Sequence, residues 1–183
     1  MNHTEKLISI IQNDSWMIEV LKIVRELNLN DCWIGAGFIR NKVWDVLHKK
    51  ERTKLNDIDV IYFDSIKKEK EFDQEIEEKL KKSNPNLNWS VKNQARMHLR
   101  NQHNPYLNCL DAMSFWTETA TAIAIRINAE NQIEIIAPYG LSDLFELKIC
   151  PSSKGNKQVY KERIAKKNWE KTWTDLKIEK VSF

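Results

Sequence analysis

Two segments decide the fold, WIGAGFIR at residues 33–40 and NDIDVIYF at residues 56–63. The first segment contains two of the chain's four glycines, which stand two residues apart between an apolar run and a helical run. Glycines in such a place predict a backbone that bends tightly or comes close to a ligand. In the second segment Asp57 and Asp59 alternate with apolar residues, so on a strand both carboxylates point to the same face.

This combination of a small-residue turn and paired carboxylates suits metal-assisted transfer of a nucleotidyl group. Divalent ions held by two or three carboxylates stabilise charge at the attacked phosphorus and activate the attacking hydroxyl. We therefore predict that Asp57 and Asp59 are catalytic and bind Mg²⁺ or Mn²⁺. The turn Gly35-Ala36-Gly37 opens the next helix and is predicted to offer backbone N–H groups to the phosphates. Arg40, one turn further on, is predicted to add a charged contact.

The same two motifs also have a purely structural interpretation. Most Asp-x-Asp pairs are solvated surface residues, helix caps or members of ion pairs, and a single Gly-x-Gly is common. Here the acids are flanked by Ile58, Val60 and Ile61. A carboxylate pair in so apolar a strand is costly unless it binds something, which favours the functional interpretation.

Further candidate site residues follow from their place beside these segments. Asn56 precedes the acid pair, and Lys92 and Arg96 follow a predicted strand at residues 89–91; all three are predicted nucleotide contacts, although a solvated sheet edge also explains the two cations. A third catalytic carboxylate is expected at Glu118, because it opens a strand-prone run able to lie beside the Asp57 strand. Two alternatives remain open for that carboxylate, Asp111 and Glu134.

Several stretches resemble a family of small bacterial nucleotidyltransferase-like proteins with no assigned acceptor, within the DNA polymerase beta-like nucleotidyltransferase superfamily. The likeness extends over residues 16–173 and is carried by WIGAGFIRN at 33–41, LNDIDV at 55–60, WSVKNQARMH at 89–98 and ETATA at 118–122. The resemblance implies a mixed sheet flanked by helices, a nucleoside triphosphate donor and magnesium. The acceptor it implies is a hydroxyl of RNA, of a small molecule or of a protein.

A looser resemblance is to the head domain of CCA-adding enzymes and bacterial poly(A) polymerases. Their Gly-Gly-x-Val-Arg-Asp turn is similar to residues 36–41, with Ala36 in place of the first glycine and Asn41 in place of the acid. Their Asp-Pro-Phe-Gly-Gly segment is similar to residues 137–140 and the strand before them. Their Arg-Arg-Asp stretch has at most Glu118 here, without the arginines. This departure favours an alternative function, a nucleotide- or RNA-binding module without catalysis.

Composition bounds the remaining possibilities. A chain of 183 residues is most simply one domain, and a net charge of +3 permits an anionic substrate without requiring one. Three widely spaced cysteines without a C-x-x-C pair argue against a disulfide framework or a structural zinc site.

The N-terminus lacks the apolar core of a signal peptide and no run is long enough to span a membrane, so we expect a cytoplasmic protein. Seven tryptophans leave a further alternative, a partner-binding protein of the toxin–antitoxin kind; the oligomeric state is not readable.

The order of predicted elements gives an α+β fold, an α/β sandwich with a small mixed sheet. Helices are predicted at 16–27, 38–47, 65–82, 141–147 and 160–173, and strands at 32–34, 57–63, 89–91 and 133–136. Residues 119–127 fit a strand or a helix equally well. We predict a catalytic core at residues 1–150 and a basic helical extension, packed on that core, at residues 151–183.

Overall fold

A computed structural model of the chain describes residues 1–181. Its helices are His3–Gln12 (α1), Ser15–Arg25 (α2), Gly37–Leu47 (α3), Lys70–Ser83 (α4), Met97–Asn101 (α5), Cys109–Met113 (α6), Ser142–Phe145 (α7) and Lys157–Lys167 (α8). Its strands are Trp33–Gly35 (β1), Ile58–Tyr62 (β2), Trp89–Asn93 (β3), Ala124–Ile127 (β4), Ile133–Ile136 (β5), Lys148–Ile149 (β6) and Lys177–Ile178 (β7). Short 3₁₀ turns occur at Gln94–Arg96 and Trp169–Lys171.

The main sheet has five strands in the order β3-β2-β1-β4-β5. Strands β2 and β3 are parallel, and the other neighbouring pairs are antiparallel. A parallel pair requires a crossover connection, which α4 supplies. The predicted α+β fold with a mixed sheet flanked by helices is therefore confirmed.

The two faces of this sheet have different neighbours because side chains alternate along each strand. On β2, Ile58, Val60 and Tyr62 are buried in the main core with residues of α1 to α4. Asp59 and Ile61 point to the opposite face, where Ile61 packs in a smaller cluster with residues of α6. Since α6 covers only part of this second face, the end that carries Asp59 stays accessible.

Most predicted elements are present, and the differences have local causes. The helix predicted at 65–82 begins only at Lys70, because the Asp64 side chain accepts the N–H groups of Ile66 and Lys67 and holds a turn there. The C-terminal helix begins earlier than predicted, at Lys157, because Asn156 caps its first N–H groups. It ends at Asn168, whose φ of 51° breaks the helical path. The ambiguous run 119–127 forms β4 only over its last four residues.

The segment after residue 150 packs closely on the rest of the chain. Strand β7 pairs with β6, and Trp169 and Trp173 each pack edge-on against Trp44 of α3. The division at residue 150 stays a prediction, and residues 182 and 183 of the predicted extension lie outside the described part. Among residues 1–181, no helix has the length and apolar character needed to cross a membrane.

Candidate nucleotide site

The turn between β1 and α3 bends at Ala36, not at either glycine. Ala36 has φ 54° and ψ −122°, values typical of the first central residue of a type II′ turn, where glycine is preferred. Gly35 has a different role, because a Cβ there would lie 3.0 Å from Cη2 of Trp116. The backbone does bend tightly between the two glycines, but Ala36 carries the strained conformation and Gly35 makes room for an indole.

The first turn of α3 leaves backbone donors without partners in the helix. Its first intrahelical bonds run from the N–H groups of Ile39 and Arg40 to the carbonyl of Ala36. No side chain caps this end. The N–H groups of Gly37 and Phe38 precede those bonds, and they combine with the positive end of the helix dipole. This geometry is suited to binding a phosphate.

Asp59 lies directly beside this turn, whereas Asp57 precedes β2, is exposed and lines a neighbouring cavity. Asp59 stands opposite Gly35 in the antiparallel register and opposite Ser90 in the parallel one. Burial, together with the negative charge of Asp57, raises the pKa of Asp59 to about 6, although Arg40 and a hydrogen bond with Ser90 oppose the shift. Asp59 is half-buried and Asp57 is exposed. Two carboxylates that repel each other favour the binding of a cation near both of them.

Arg40 lies behind the acids with its guanidinium enclosed. It donates from Nη1 to Oγ1 of Thr121 and from Nη2 to Oδ1 of Asn41, both at 2.9 Å, and it stacks 4.4 Å above the ring of Trp169. Burial lowers its pKa to about 10, while the nearby acids Glu118, Asp59 and Asp57 counteract that shift. Its Nε is buried without a partner. Arg40 therefore acts on the site through its charge, and a direct contact with phosphate stays a prediction.

A cavity of about 630 Å³ opens beside Asp59, on the sheet face that α6 leaves uncovered. Its floor is formed by the turn and by β2 and β3, through Ala36, Asp59, Ile61 and Lys92. Its walls come from three later parts of the chain: the α5 region, residues 112–117, and α8 through Asn156, Val159 and Arg163. The cavity is thus large enough for a small organic ligand and joins the helix terminus to an acid.

A family of proteins described as nucleotidyltransferases matches residues 22–178, which is most of the chain. The chain belongs to this nucleotidyltransferase family. The resemblance inferred from the turn and the acid pair is therefore confirmed at the level of the family. No curated protein sequence is significantly similar to the chain.

Solved structures of CCA-adding enzymes and of a CCA-adding enzyme head domain are similar to the chain. An NMR structure described as revealing a CCA-adding enzyme head domain is 33% identical, with a TM-score of 0.86, and the match covers 97% of this chain and 96% of that one. A CCA-adding enzyme complexed with CTP is 16% identical with a TM-score of 0.60, covering 98% of this chain and 44% of that one. The Thermotoga maritima CCA-adding enzyme complexed with tRNA is 18% identical with a TM-score of 0.56, covering 97% and 42%. The last two likenesses show the fold alone, and the chain spans less than half the length of those enzymes.

Glu118 does not form a metal-binding group with the acid pair. It is fully buried, and its carboxylate oxygens accept hydrogen bonds from Nε and Nη2 of Arg163 at 2.7 and 3.2 Å. Across residues 1–181, no three acids, histidines or cysteines form a group able to hold a metal ion. The two alternatives are engaged elsewhere, because Glu134 pairs with Arg126 and Asp111 accepts the N–H of Leu107. The expected third carboxylate therefore has no counterpart beside Asp57 and Asp59.

The three other predicted nucleotide contacts, Lys92, Arg96 and Asn56, do not all lie at the same cavity. Lys92 lines the cavity, with its Nζ 2.8 Å from the carbonyl oxygen of Val91. Arg96 is instead ion-paired with the buried Asp73 and does not line the cavity. Asn56 borders a second cavity of about 510 Å³ on the Asp57 side, together with Arg52 and Lys54. Of Lys92 and Arg96, Lys92 therefore lines the cavity, and its Nζ also lies 3.8 Å from Oε2 of Glu77.

Sequence reasoning missed Arg163, Trp116 and Ser90. Arg163 lies 45 residues from its partner Glu118, and no local pattern links the two. Trp116 packs on Gly35 only because of the path of residues 114–117. Ser90 could have been found, since its alternation with Trp89 and Val91 places it on the second face once β3 is paired with β2. That parallel pairing was the information that the sequence lacked.

Proposed function

We propose that the protein transfers a nucleoside monophosphate from a nucleoside triphosphate to a hydroxyl acceptor, with Mg²⁺ or Mn²⁺. The observation that carries this proposal is the register of β1 and β2, in which Asp59 stands opposite Gly35 at the uncapped end of α3. Carboxylates for a metal and N–H groups for a phosphate thus meet at one point. Membership of the nucleotidyltransferase family supports the reaction class.

Asp57 and Asp59 would hold the metal. The donor set fits a hard divalent cation, because both residues supply carboxylate oxygens. Burial first, and the negative charge of Asp57 second, raise the pKa of Asp59. When bound, such an ion stabilises charge on the transferred phosphoryl group and lowers the pKa of the attacking hydroxyl. Arg40 keeps the pair from being excessively anionic, since its buried charge lies near both acids.

The remaining residues bind and orient the triphosphate. The N–H groups of Gly37 and Phe38 receive phosphate oxygens at the end of α3. Lys92 adds positive charge on the floor of the cavity beside Asp59. Asn56 and Arg96 stay candidates for contacts made after rearrangement, and Glu118 is reassigned below. Three free cysteines support action in the reducing cytoplasm, where thiols remain unpaired.

The test is transfer of radiolabel from each of the four nucleoside triphosphates, α-labelled, to total cellular RNA, protein and small-molecule extract. The parent is expected to label one of these fractions in the presence of Mg²⁺ or Mn²⁺. Asp57→Asn and Asp59→Asn should abolish the label, because an amide oxygen is a neutral and weaker metal ligand. Asp175→Asn is the matched control, since the side chain of Asp175 is 70% exposed and far from the turn in the fold. Labelling by the two site variants at the parent's level would refute the proposal.

A second candidate is a nucleotide-binding module without catalysis. The observation that favours it is the engagement of Glu118 with Arg163, which leaves two acids at the site. This module would bind the triphosphate with metal and label no fraction. The partner-binding alternative loses its support, because five of the seven tryptophans are buried and the other two, Trp16 and Trp116, are partly buried. No exposed tryptophan is therefore left to build the interface on.

A further inference from the structure

The side chain of Arg163, on α8, is fixed by an ion pair at the wall of the cavity. Its Nε and Nη2 donate to the two oxygens of Glu118, which is the bidentate arrangement of arginine with a carboxylate. Glu118 is completely buried, whereas the side chain of Arg163 keeps 35% of its surface exposed. The carboxylate of this pair is thus buried, and its guanidinium is accessible to solvent.

The exposed side of Arg163 lies on the wall of the 630 Å³ cavity that also contains Ala36, Asp59 and Lys92. The Glu118 contact uses one edge of the guanidinium, so the Nη1 amino group remains on the other side for a second partner. Arginine is suited to phosphate because its planar fork donates two parallel hydrogen bonds. A guanidinium oriented by one carboxylate has already lost the rotamer freedom that binding would otherwise cost.

The surrounding charges favour an anionic partner. Arg163 and Arg40 are close enough that the charge of Arg163 helps to lower the pKa of Arg40. Lys92 lines the floor of the cavity. Lys167, which is on α8 like Arg163, opposes the rise in the pKa of Asp59. Glu118 pairs with Arg163, and Glu77 lies 3.8 Å from Nζ of Lys92. Arg100 also lines the cavity, and Asp59 is the one acid among its described lining residues. A triphosphate carries the negative charge that this arrangement lacks.

We propose that Arg163 binds the phosphate chain of the nucleoside triphosphate and that Glu118 is the positioning residue that orients it. This inference rests on the proposed function, because it assumes a nucleotide in the cavity beside Asp59. It assigns Glu118 a different role from that of a third metal ligand. It also makes α8, which lies outside the predicted catalytic core, a part of the site.

The experiment measures the affinity of ATP, CTP, GTP and UTP with Mg²⁺ by calorimetry, and then that of the di- and monophosphate of the tightest binder. Arg163→Gln should weaken triphosphate binding about 10- to 100-fold, as expected for lost hydrogen bonds to a charged group. The loss should shrink from tri- to monophosphate, a dependence that general damage to the fold would not produce. Arg163→Lys keeps the charge without the fork and should lie between the parent and Arg163→Gln.

Glu118→Gln tests the positioning role. It should weaken binding less than Arg163→Gln does, and the double variant should bind no worse than Arg163→Gln alone, because Glu118 acts only through Arg163. If transfer is measurable, the KM for the triphosphate should rise while kcat changes little, which a metal ligand would not show. The matched control is the pair Arg126–Glu134, an arginine–glutamate ion pair between β4 and β5 that does not line the cavity. Arg126→Gln should leave affinity unchanged.

The outcomes separate this inference from the proposed function. Unchanged triphosphate affinity in folded Arg163→Gln, with transfer still dependent on Asp57 and Asp59, would overturn the inference and leave the function standing. A parent that binds none of the four triphosphates would overturn both. If thermal melting shows that Arg163→Gln is unfolded, the variants Arg163→Lys and Glu118→Gln test the proposal instead. Triphosphate affinity equal to that of the parent in both variants would refute the proposal, and the graded loss of affinity would support it.

Discussion

Replacing Ala36 by glycine is expected to stabilise the protein. Ala36 adopts φ 54° and ψ −122°, a conformation that glycine enters readily and that an L-residue with a Cβ occupies only under strain. Strain of this kind costs about 1–3 kcal/mol. The glycine variant removes it but gains unfolded-state entropy, which reduces stability by about 0.4–1 kcal/mol. The balance is a gain of about 1 kcal/mol in the free energy of unfolding, and for a chain of this size that raises the Tm by about 2–4 °C.

The two neighbouring glycines supply the controls for this prediction. In Gly35→Ala the new methyl group would meet the indole of Trp116 at 3.0 Å, so we expect a loss of about 1–3 kcal/mol from overpacking. In Gly37→Ala the nearest atom is 3.6 Å away, an ordinary contact, so the lost unfolded-state entropy should raise stability by about 0.4–1 kcal/mol. Urea and thermal unfolding of the three variants measure these differences. A stability of Ala36→Gly equal to or below that of the parent would refute the argument that Ala36 carries strain.

Two further predictions concern buried carboxylates away from the cavity. Burial raises the pKa of Asp14, but its bonds with Lys42 and Arg52 and with the backbone outweigh burial and hold the pKa below the usual value of 3.8. Asp14→Asn should therefore lower the free energy of unfolding by about 1–2 kcal/mol at neutral pH, with the difference lost as the pH falls below 3.8 through the folded pKa, as followed by urea titrations at several pH values. The buried Nε1 of Trp173 donates to Oδ1 of Asp45 at 2.9 Å. Asp45→Ala removes this acceptor and should lower the free energy of unfolding, measured in urea at neutral pH, by about 2–4 kcal/mol.

Asp175→Asn is the control for both carboxylates, because an exposed acid should change stability by less than about 0.5 kcal/mol at any pH. A deficit of Asp14→Asn that persisted unchanged at pH 3 would show that the ion pairs are not its cause. A neutral effect of Asp45→Ala would show that the contact of Trp173 with α3 contributes little to holding the segment after residue 150.

The acid pair illustrates what local patterns predict well. Alternation along a strand is a property of the backbone, so Asp57 and Asp59 were assigned to one face without knowledge of any neighbour. The turn before α3 was placed by the same kind of reasoning, from small residues between an apolar run and a helical run. Its detailed conformation was not predicted, because the choice between Gly35, Ala36 and Gly37 as the bent residue depends on the approach of Trp116 from elsewhere in the chain.

Glu118 illustrates what local patterns leave undecided. The sequence placed it in a strand-prone run, and it does lie close enough to Arg40 to affect its pKa. Its partner, however, is an arginine 45 residues later on a helix that the sequence predicted only as a basic extension. The enclosure of Arg40 has the same origin, since its acceptor Thr121 is 81 residues away and Trp169 stacks on it from the C-terminal segment.

The sequence by itself determined the kind of elements and the place of the small-residue turn, because these follow from interactions between residues close in the chain. It predicted one shared face for the two acids, but β2 begins at Ile58, after Asp57. Only the tertiary structure decided the strand order, the cavity beside Asp59 and the pairing of Glu118 with Arg163. These depend on which distant surfaces exclude water together. Many arrangements satisfy the same local pattern, and packing of the whole chain selects one of them.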